Sequence, residues 1–271
     1  MKDFFKAIKS AFVVCIVGMS VVLIPTIVEI LELFKNKTYW IDIIRNISII
    51  AGGLLVVFVM NREYKLDIKN YIGKPRVDIL LNIIFISVFY EICYFYIFYR
   101  NDMGGEKYSI QEIIGTMSGA IGAPIGEELI FRFGMLTLLF SVSHKSIIKK
   151  WVSILLVSIV FMLFHFPSSI QRALEIVVWS IFVALIYFAF KNIIYCIVFH
   201  MISNAVLFTI AMFCNPFVGM NIVFYFSVFL LVIALLVLVK NYYKNHDMSN
   251  SRMELIKHFC GLLRNRKEKT P

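Results

Sequence analysis

The sequence predicts an all-α membrane protein, built as a polytopic bundle of about eight transmembrane helices. Composition is the first observation: of 271 residues, 60% are hydrophobic and only 16% are charged. This profile is typical of a polytopic membrane protein and excludes an ordinary soluble domain. The second observation is that the apolar residues fall into eight stretches of about the ~20 residues that cross a hydrocarbon core. Between these stretches the connections are short.

The predicted spans cover residues 11–34, 42–60, 77–99, 115–140, 150–167, 172–190, 193–213 and 217–239. The first span is longer than the apolar region of a signal peptide and lacks a small-residue cleavage site, so we expect it to be retained. The short connections indicate a single transmembrane domain over residues 1–271. It ends in a basic tail, about 240–271, which is either solvated or an amphipathic helix on the inner leaflet.

The distribution of basic residues predicts the orientation in the membrane. With the N-terminus inside, twenty Lys and Arg residues lie in cytoplasmic segments and five lie in outer loops. This asymmetry predicts that both termini are cytoplasmic. The net charge of +10 then reflects a rim that faces anionic lipid, and no nucleic-acid partner is expected. Abundant Lys, Ile, Asn and Phe are typical of AT-rich bacterial genomes, so we expect a bacterial plasma membrane.

The fourth span contains ionisable residues where a transmembrane helix rarely has them, in the stretch GAPIGEELIFRFG. Such a side chain at the helix centre costs at least ~2.5–3.5 kcal/mol, which points to a function. Glu128 and Arg132 are four residues apart and are expected to form an ion pair. Glu127 projects about 100° away from Glu128 and has no local cation. It is therefore a candidate general base or acid.

Small residues precede this acidic pair. Gly115, Gly119, Gly122 and Gly126 would let a neighbouring helix approach closely. Pro124 removes a backbone donor, and we expect a kink just before Glu127. Close packing alone would explain the glycines but not the carboxylates.

Two histidines lie in later spans. His165 is near the end of the fifth span, and His200 lies in the seventh, four residues before Asn204 and on the same helix face. A single histidine in a span is more often a structural hydrogen-bonding residue than a catalyst. Two histidines, an amide and a spare glutamate in one bundle favour a catalytic site. For straight helices, however, the two histidines differ in depth by about 5–10 Å.

The pattern E-E-x-x-x-R, F-x-x-x-H and H-x-x-x-N, in that order on separate hydrophobic segments between residues 115 and 210, resembles the CPBP intramembrane proteases. The matching residues are Glu127, Glu128, Arg132, Phe161, His165, His200 and Asn204. This family, also called Abi, includes the type II CAAX-prenyl endopeptidases. The resemblance implies an eight-helix bundle that cleaves a peptide bond within the membrane with an activated water.

The resemblance also implies roles for these side chains. Glu127 would be the general base, and His165 would help to hold the water. His200 and Asn204 would stabilise the oxyanion, while Glu128, Arg132 and Phe161 would support the site. No covalent acyl-enzyme is expected.

The sequence is compatible with two alternatives for the cofactor, one zinc ion or none. Glu127, His165 and His200 are ligand types that a zinc ion accepts, as the name metalloprotease for this family suggests. A metal-free mechanism uses the same three side chains. The sequence contains no H-E-x-x-H motif, which favours the metal-free alternative.

The first functional hypothesis is therefore an intramembrane endopeptidase. Its substrate would be a membrane-associated peptide or protein, in peptide maturation, immunity or signalling. The alternative is a non-catalytic scaffold or regulatory protein with a protease-like fold that binds a membrane partner. A proton-coupled transporter is a third hypothesis, since buried Glu and His also form proton relays, but the sequence shows no internal repeat.

Overall fold

A computed structural model describes residues 2–30, 38–99, 109–143, 146–213, 225 and 227–240. The predicted basic tail beyond residue 240 and the start of the eighth predicted span lie outside the described residues. The part of the chain that the structure describes is helical and contains no strand. The predicted fold class is confirmed: this is a polytopic all-α membrane protein.

The helices are α1 (Lys2–Ile30), α2 (Thr38–Tyr64), α3 (Val77–Tyr99), α4 (Ile110–Glu128), α5 (Thr137–Ser141), α6 (Ile147–Leu163), α7 (Ile170–Phe190), α8 (Ile193–Phe213) and α9 (Ser227–Lys240). A π-helical stretch, Leu129–Leu136, joins α4 to α5, and a 3₁₀ turn, Ile68–Tyr71, lies between α2 and α3. By length and composition, α1, α2, α3, α7 and α8 could each cross a membrane. Each of the eight predicted spans overlaps a described helix, and the fourth corresponds to α4, the π-helical stretch and α5 together.

The fifth predicted span ends earlier than expected. Helix α6 stops at Leu163, so His165 lies in the turn that follows and not inside the helix. Phe166 has a left-handed φ of 43°, which ends the helical path. Pro167 follows directly, and its ring disfavours helical backbone in the residue before it.

Glycines in α1, α2 and α4 set the distance between these three helices. A Cβ added at Gly126 would lie 2.1 Å from the Ile49 carbonyl oxygen of α2. A Cβ added at Gly52 would lie 2.2 Å from the Gly18 carbonyl oxygen of α1. Both distances are shorter than any normal contact, so α1, α2 and α4 pack backbone against backbone. The predicted close approach at the small residues of the fourth span is confirmed.

The fourth span departs from α-helical hydrogen bonding after the acidic pair. Pro124 stays inside α4, which is α-helical through Glu128. The backbone then becomes π-helical, and the Thr137 N–H bonds to the Arg132 carbonyl five residues earlier. All eight residues of the π-helical stretch are buried. π-Helical turns occur frequently at functional sites.

Helix α8 is the common neighbour of the helices that form the site. Helices α3, α4 and α7 pack along it, and α6 packs on α7. In the described part of the chain, α3 and α4 have no extensive contact with each other. The gap between them leaves room for a cavity beside α8.

Candidate active site

The junction between α4 and the π-helical stretch contains a buried ion pair. Glu128 Oε1 lies 3.1 Å from Arg132 Nη1, and both side chains are fully buried. The ion pair predicted from their four-residue spacing is therefore confirmed. Since the pair is inaccessible to substrate, its contribution is to position its neighbours.

Arg132 has further partners on α6 and α7. Its Nη2 donates to the Ser180 hydroxyl at 3.0 Å and to the Ser180 carbonyl at 3.2 Å. The guanidinium carbon lies 4.6 Å from the centre of the Phe161 ring and 5.8 Å from that of Trp179. These distances allow cation–π attraction, which strengthens when the cation is desolvated. Phe161, the first residue of the F-x-x-x-H motif, thus contacts the buried guanidinium.

The ion pair also fixes the proton of His200. His200 Nδ1 lies 2.9 Å from Glu128 Oε1. Because a carboxylate paired with arginine only accepts hydrogen bonds, Nδ1 carries the proton and donates it. In the neutral ring, Nε2 then has a free lone pair. That nitrogen lies 3.8 Å from Glu127 Oε2.

His165 has the same tautomer for a different reason. Its Nδ1 lies 2.8 Å from the Phe161 carbonyl oxygen. A carbonyl can only accept, so Nδ1 is the protonated nitrogen. Nε2 of the neutral ring is unprotonated and also lies 3.8 Å from Glu127 Oε2.

Three acceptor atoms therefore converge from α4, α8 and the turn after α6. The Oε2 of Glu127 is buried and has no hydrogen-bond partner within the described structure. A separation of 3.8 Å is too long for a direct hydrogen bond, but one water can bridge it. The exposed fraction of the side chain falls from 33% for His165 to 16% for Glu127 and 5% for His200. The site therefore opens on the His165 side.

The predicted depth difference between the histidines does not separate them in the structure. Placing His165 in the turn beyond α6 lets its ring meet the same carboxylate oxygen that His200 faces. Each residue of helix shifts a side chain by 1.5 Å along the axis, so the position of a helix end determines the depth of the residues beside it.

A cavity of about 240 Å³ adjoins these side chains. Glu127, Phe161, His165, His200 and Asn204 line it, so the predicted catalytic residues share one space. The sequence analysis did not place the nine further lining residues there, namely Tyr90, Glu91, Tyr94, Arg172, Glu175, Ile176, Trp179, Leu207 and Phe208. The ionisable residues among them could have been singled out in the sequence, because charged groups in or near spans are rare and point to a function.

One end of the cavity has a polar network between α3 and α7. Tyr94 donates its hydroxyl proton to Glu175 and accepts a hydrogen bond from Arg172. Arg172 also forms an ion pair with Glu175 at 3.2 Å. The Arg172 side chain is 39% exposed and that of Glu175 is 9% exposed. The network therefore links the two helices near the surface of the bundle.

The three converging residues do not fit a metal ion as the structure places them. Their chemistry is suitable, since a carboxylate and two imidazoles with their second nitrogens held are common around zinc. Ligand atoms at ~2.0–2.1 Å from a tetrahedral zinc would, however, lie roughly 3.4 Å apart, not 3.8 Å. No group of three His, Cys, Asp or Glu side chains in the described segments could hold a metal ion. We therefore assign no metal ion to the reaction of these residues.

Comparison with known proteins identifies the segment that carries this site. Residues 109–206 match the family model described as Type II CAAX prenyl endopeptidase Rce1-like. This part of the chain is Rce1-like. For this segment, the family predicted from the three motifs is confirmed, and the segment includes all seven motif residues. No match is found among curated proteins or among solved structures.

Proposed function

We propose that the protein is an intramembrane endopeptidase that hydrolyses a peptide bond of a membrane-associated peptide or protein. The observation that carries this proposal is the position of Glu127 Oε2, buried and 3.8 Å from the unprotonated nitrogens of both His165 and His200. A carboxylate and two lone pairs directed at one point favour a ligand that donates protons. Water is that ligand in a hydrolase.

In the proposed reaction, Glu127 accepts a proton from a water that His165 helps to hold. The water oxygen then attacks the carbonyl carbon of the scissile peptide bond. Glu127 passes the proton to the nitrogen of the leaving amine, and the carbon–nitrogen bond breaks. General base catalysis of this kind contributes typically ~10²–10⁴-fold to a rate.

The oxyanion of the tetrahedral intermediate needs donors. The amide of Asn204 supplies N–H groups from the cavity wall, one helical turn after His200. His200 can donate from Nε2 only while its ring is protonated, because its Nδ1 proton is committed to Glu128. Donors directed at developing negative charge stabilise the transition state most when they are preorganised. The buried Glu128–Arg132 pair provides that preorganisation.

The test is cleavage by the purified full chain in lipid nanodiscs. Candidate membrane peptides are incubated with the unmodified protein and with Glu127→Ala, and products are identified by mass spectrometry. We expect products only with the unmodified protein. Equal cleavage by both proteins would remove Glu127 as the base.

The binding alternative predicts a different result in cells. A scaffold needs the fold but not the base, so Glu127→Ala would keep the cellular phenotype as long as it is expressed and inserted. Membrane peptides from cells carrying either copy are compared by mass spectrometry. A phenotype kept by the variant, with an unchanged set of peptides, would replace the protease with a scaffold.

A further inference from the structure

The π-helical stretch that carries Arg132 is held at its end by Thr137, the first residue of α5. The Thr137 N–H is shared between the carbonyls of Gly134 and Arg132, and the Thr137 hydroxyl donates to the Arg132 carbonyl at 3.2 Å. In an α-helix, a threonine hydroxyl bonds to the carbonyl three or four residues earlier. Here it bonds to the carbonyl five residues earlier, so the side chain itself stabilises π-helical hydrogen bonding.

Tyr187 of α7 determines the direction of that hydroxyl. Its phenolic oxygen lies 2.6 Å from Thr137 Oγ1. Because the Thr137 proton is donated to a carbonyl, which only accepts, Tyr187 is the donor between the two hydroxyls. Hydrogen bonds therefore run in one direction from Tyr187 through Thr137 to the Arg132 carbonyl. Thr137 is 3% exposed and Tyr187 is 2% exposed, so both hydroxyls are removed from solvent.

The ring of Tyr187 is packed independently of its hydroxyl. Tyr71, in the 3₁₀ turn between α2 and α3, stacks on it with ring centroids 6.3 Å apart. The same Tyr71 ring meets Phe133 of the π-helical stretch edge-on at 5.5 Å. Removing the Tyr187 hydroxyl would thus leave an aromatic ring with these contacts, and only the hydrogen bond would be lost.

Helix α7 holds Arg132 at both ends. The Ser180 hydroxyl and carbonyl accept from the guanidinium at 3.0 Å and 3.2 Å, while Tyr187 reaches the Arg132 carbonyl through Thr137. Ser180 and Tyr187 are seven residues apart in the sequence, about two turns of α-helix, and therefore share a face of α7. That face fixes both the side chain and the backbone of Arg132.

The ion pair extends this anchoring to the reacting atoms. Arg132 Nη1 lies 3.1 Å from Glu128 Oε1, and the same oxygen accepts the Nδ1 proton of His200 at 2.9 Å. Nε2 of the His200 ring is thereby left as an acceptor. Thr137 and Tyr187 are not among the described residues that line the cavity. Their effect on the site is therefore transmitted through Arg132 and not through contact with a substrate.

We propose that Thr137 and Tyr187 are positioning residues of the site. Their two hydroxyls keep Arg132 in the π-helical backbone, from which its guanidinium meets Glu128. Glu128 in turn holds the His200 ring in the tautomer that leaves Nε2 free to accept. Return to α-helical bonding would rotate one side of the turn by about 100° relative to the other, the angle of one residue. The effect on hydrolysis rests on the proposed function, whereas the effect on the His200 tautomer does not.

The first measurement reports the tautomer of His200 without any substrate. The full chain, labelled with ¹⁵N in its histidine rings, is placed in liposomes and observed by solid-state NMR. The His200 signals are identified by their loss in His200→Gln. We expect one tautomer, with Nδ1 protonated, in the unmodified protein. Thr137→Val keeps the branched shape without the hydroxyl, and Tyr187→Phe keeps the ring. Each should cause loss of the single tautomer and a second set of ring signals.

The second measurement separates turnover from binding in peptide cleavage. Thr137→Val should lower kcat by roughly 10-fold to 100-fold, because a misplacement of about 1 Å at a reacting group can cost ~10²-fold. KM should stay unchanged, because the cavity wall is unaltered. Thr137→Ser restores the hydroxyl and should recover most of the rate. The variant that combines Thr137→Val with Tyr187→Phe should be no slower than Thr137→Val alone, since both break the same chain of hydrogen bonds.

Thr209→Val is the matched control. The Thr209 hydroxyl also donates to a helix carbonyl, that of Ala205 at 2.6 Å, but at an exposed position of α8. This substitution should change neither the His200 tautomer nor kcat. An unchanged tautomer in Tyr187→Phe and in a folded Thr137→Val would overturn the proposal. So would a lower unfolding temperature with kcat intact, which is the result of a purely structural role, or equal effects of Thr137→Val and Thr209→Val.

The two proposals fail separately. A tautomer that depends on Thr137 and Tyr187, without cleavage by the unmodified protein, would leave the positioning role and remove the protease. Cleavage with a tautomer and kcat that do not depend on these hydroxyls would leave the protease and remove the positioning role.

Discussion

The positions of the protons on His165 and His200 determine which interactions these rings can make with Glu127. Hydrogen bonds to the Phe161 carbonyl and to Glu128 fix the tautomers of His165 and His200. Both rings then direct lone pairs, not N–H groups, at Glu127. This arrangement favours the proposed water-activating site over a pair of structural histidines, in which both nitrogens of each ring would have partners within the protein.

Replacing Glu127 by Gln tests the base with the smallest change of shape. The amide keeps the volume but cannot accept the water's proton, so we expect hydrolysis to fall by ~10²–10⁴-fold. The measurement is the initial rate of peptide cleavage in nanodiscs, with thermal unfolding recorded beside it. Glu63→Gln, at an exposed position, should keep the full rate. A Glu127→Gln protein that is both folded and active would contradict the assignment.

Metal removal tests the geometry of the same three residues. Because their atoms are spaced more widely than zinc ligands, we expect full activity after dialysis against a chelator. The metal content of the purified protein, measured by mass spectrometry, should be well below one ion per chain. Stoichiometric zinc, together with activity that is lost on chelation and restored by zinc, would contradict this.

Arg132 is where a single substitution should affect stability most. Arg132→Leu leaves the carboxylate of Glu128 buried without its cation, and breaking a buried pair in this way costs about 3–5 kcal/mol. The measurement is equilibrium unfolding in bicelles. Arg62→Leu, at a side chain that is 71% exposed, is the control and should change the free energy of unfolding by less than about 1 kcal/mol. Equal effects of the two substitutions would show that the buried pair contributes little.

Among the helices, contact between α2 and α4 depends on glycine. Gly126 immediately precedes Glu127, and its backbone touches that of Ile49. A side chain there cannot be accommodated by rotating another side chain, because the obstacle is a carbonyl oxygen. Helix α4 would have to move away from α2 and carry Glu127 with it.

We therefore expect Gly126→Ala to lower both thermal stability and activity. A misplacement of 1 Å at a reacting group can cost ~10²-fold in rate. Gly119→Ala is the matched control on the same helix, since the added Cβ would meet only the Asn46 amide, with Nδ2 at 3.7 Å and Oδ1 at 3.9 Å, which are ordinary contacts. It should be close to the unmodified protein in unfolding temperature and cleavage rate. Equal behaviour of both variants would mean that α2 and α4 can separate without consequence.

The sequence allowed most elements to be predicted because hydrophobic length determines where a helix can cross the membrane. It could not locate the end of α6, because an apolar run continues through Phe164 and Phe166 while the backbone turns. It also could not reveal the π-helical stretch at Leu129–Leu136, since no residue pattern distinguishes π from α hydrogen bonding within a buried apolar segment. Both features, the end of α6 and the π-helical stretch, are departures from regular α-helix in the backbone beside the site.

For the whole molecule, the motif residues could be predicted as a group because polar residues in lipid need partners. Glu91 and the Tyr94–Arg172–Glu175 network could not. They lie on helices without a motif, and their relation to Glu127 depends on how α3 and α7 pack around α8. That packing is a property of the assembled bundle and is absent from any single segment.

The last prediction concerns the placement of the whole bundle in the membrane. The excess of Lys and Arg on one side predicts that both termini face the cytoplasm, so the connection at residues 100–108, between the third and fourth spans, faces outward. A reporter that is active only in the cytoplasm should be active when fused after Lys240 and inactive when fused within residues 100–108. A reporter active only outside should give the opposite pattern. The reverse result for both reporters would show that the loop charges do not set the orientation. It would also place His165, at the open side of the site, towards the cytoplasm instead of the outer surface. A substrate would then reach Glu127 from the cytoplasmic side.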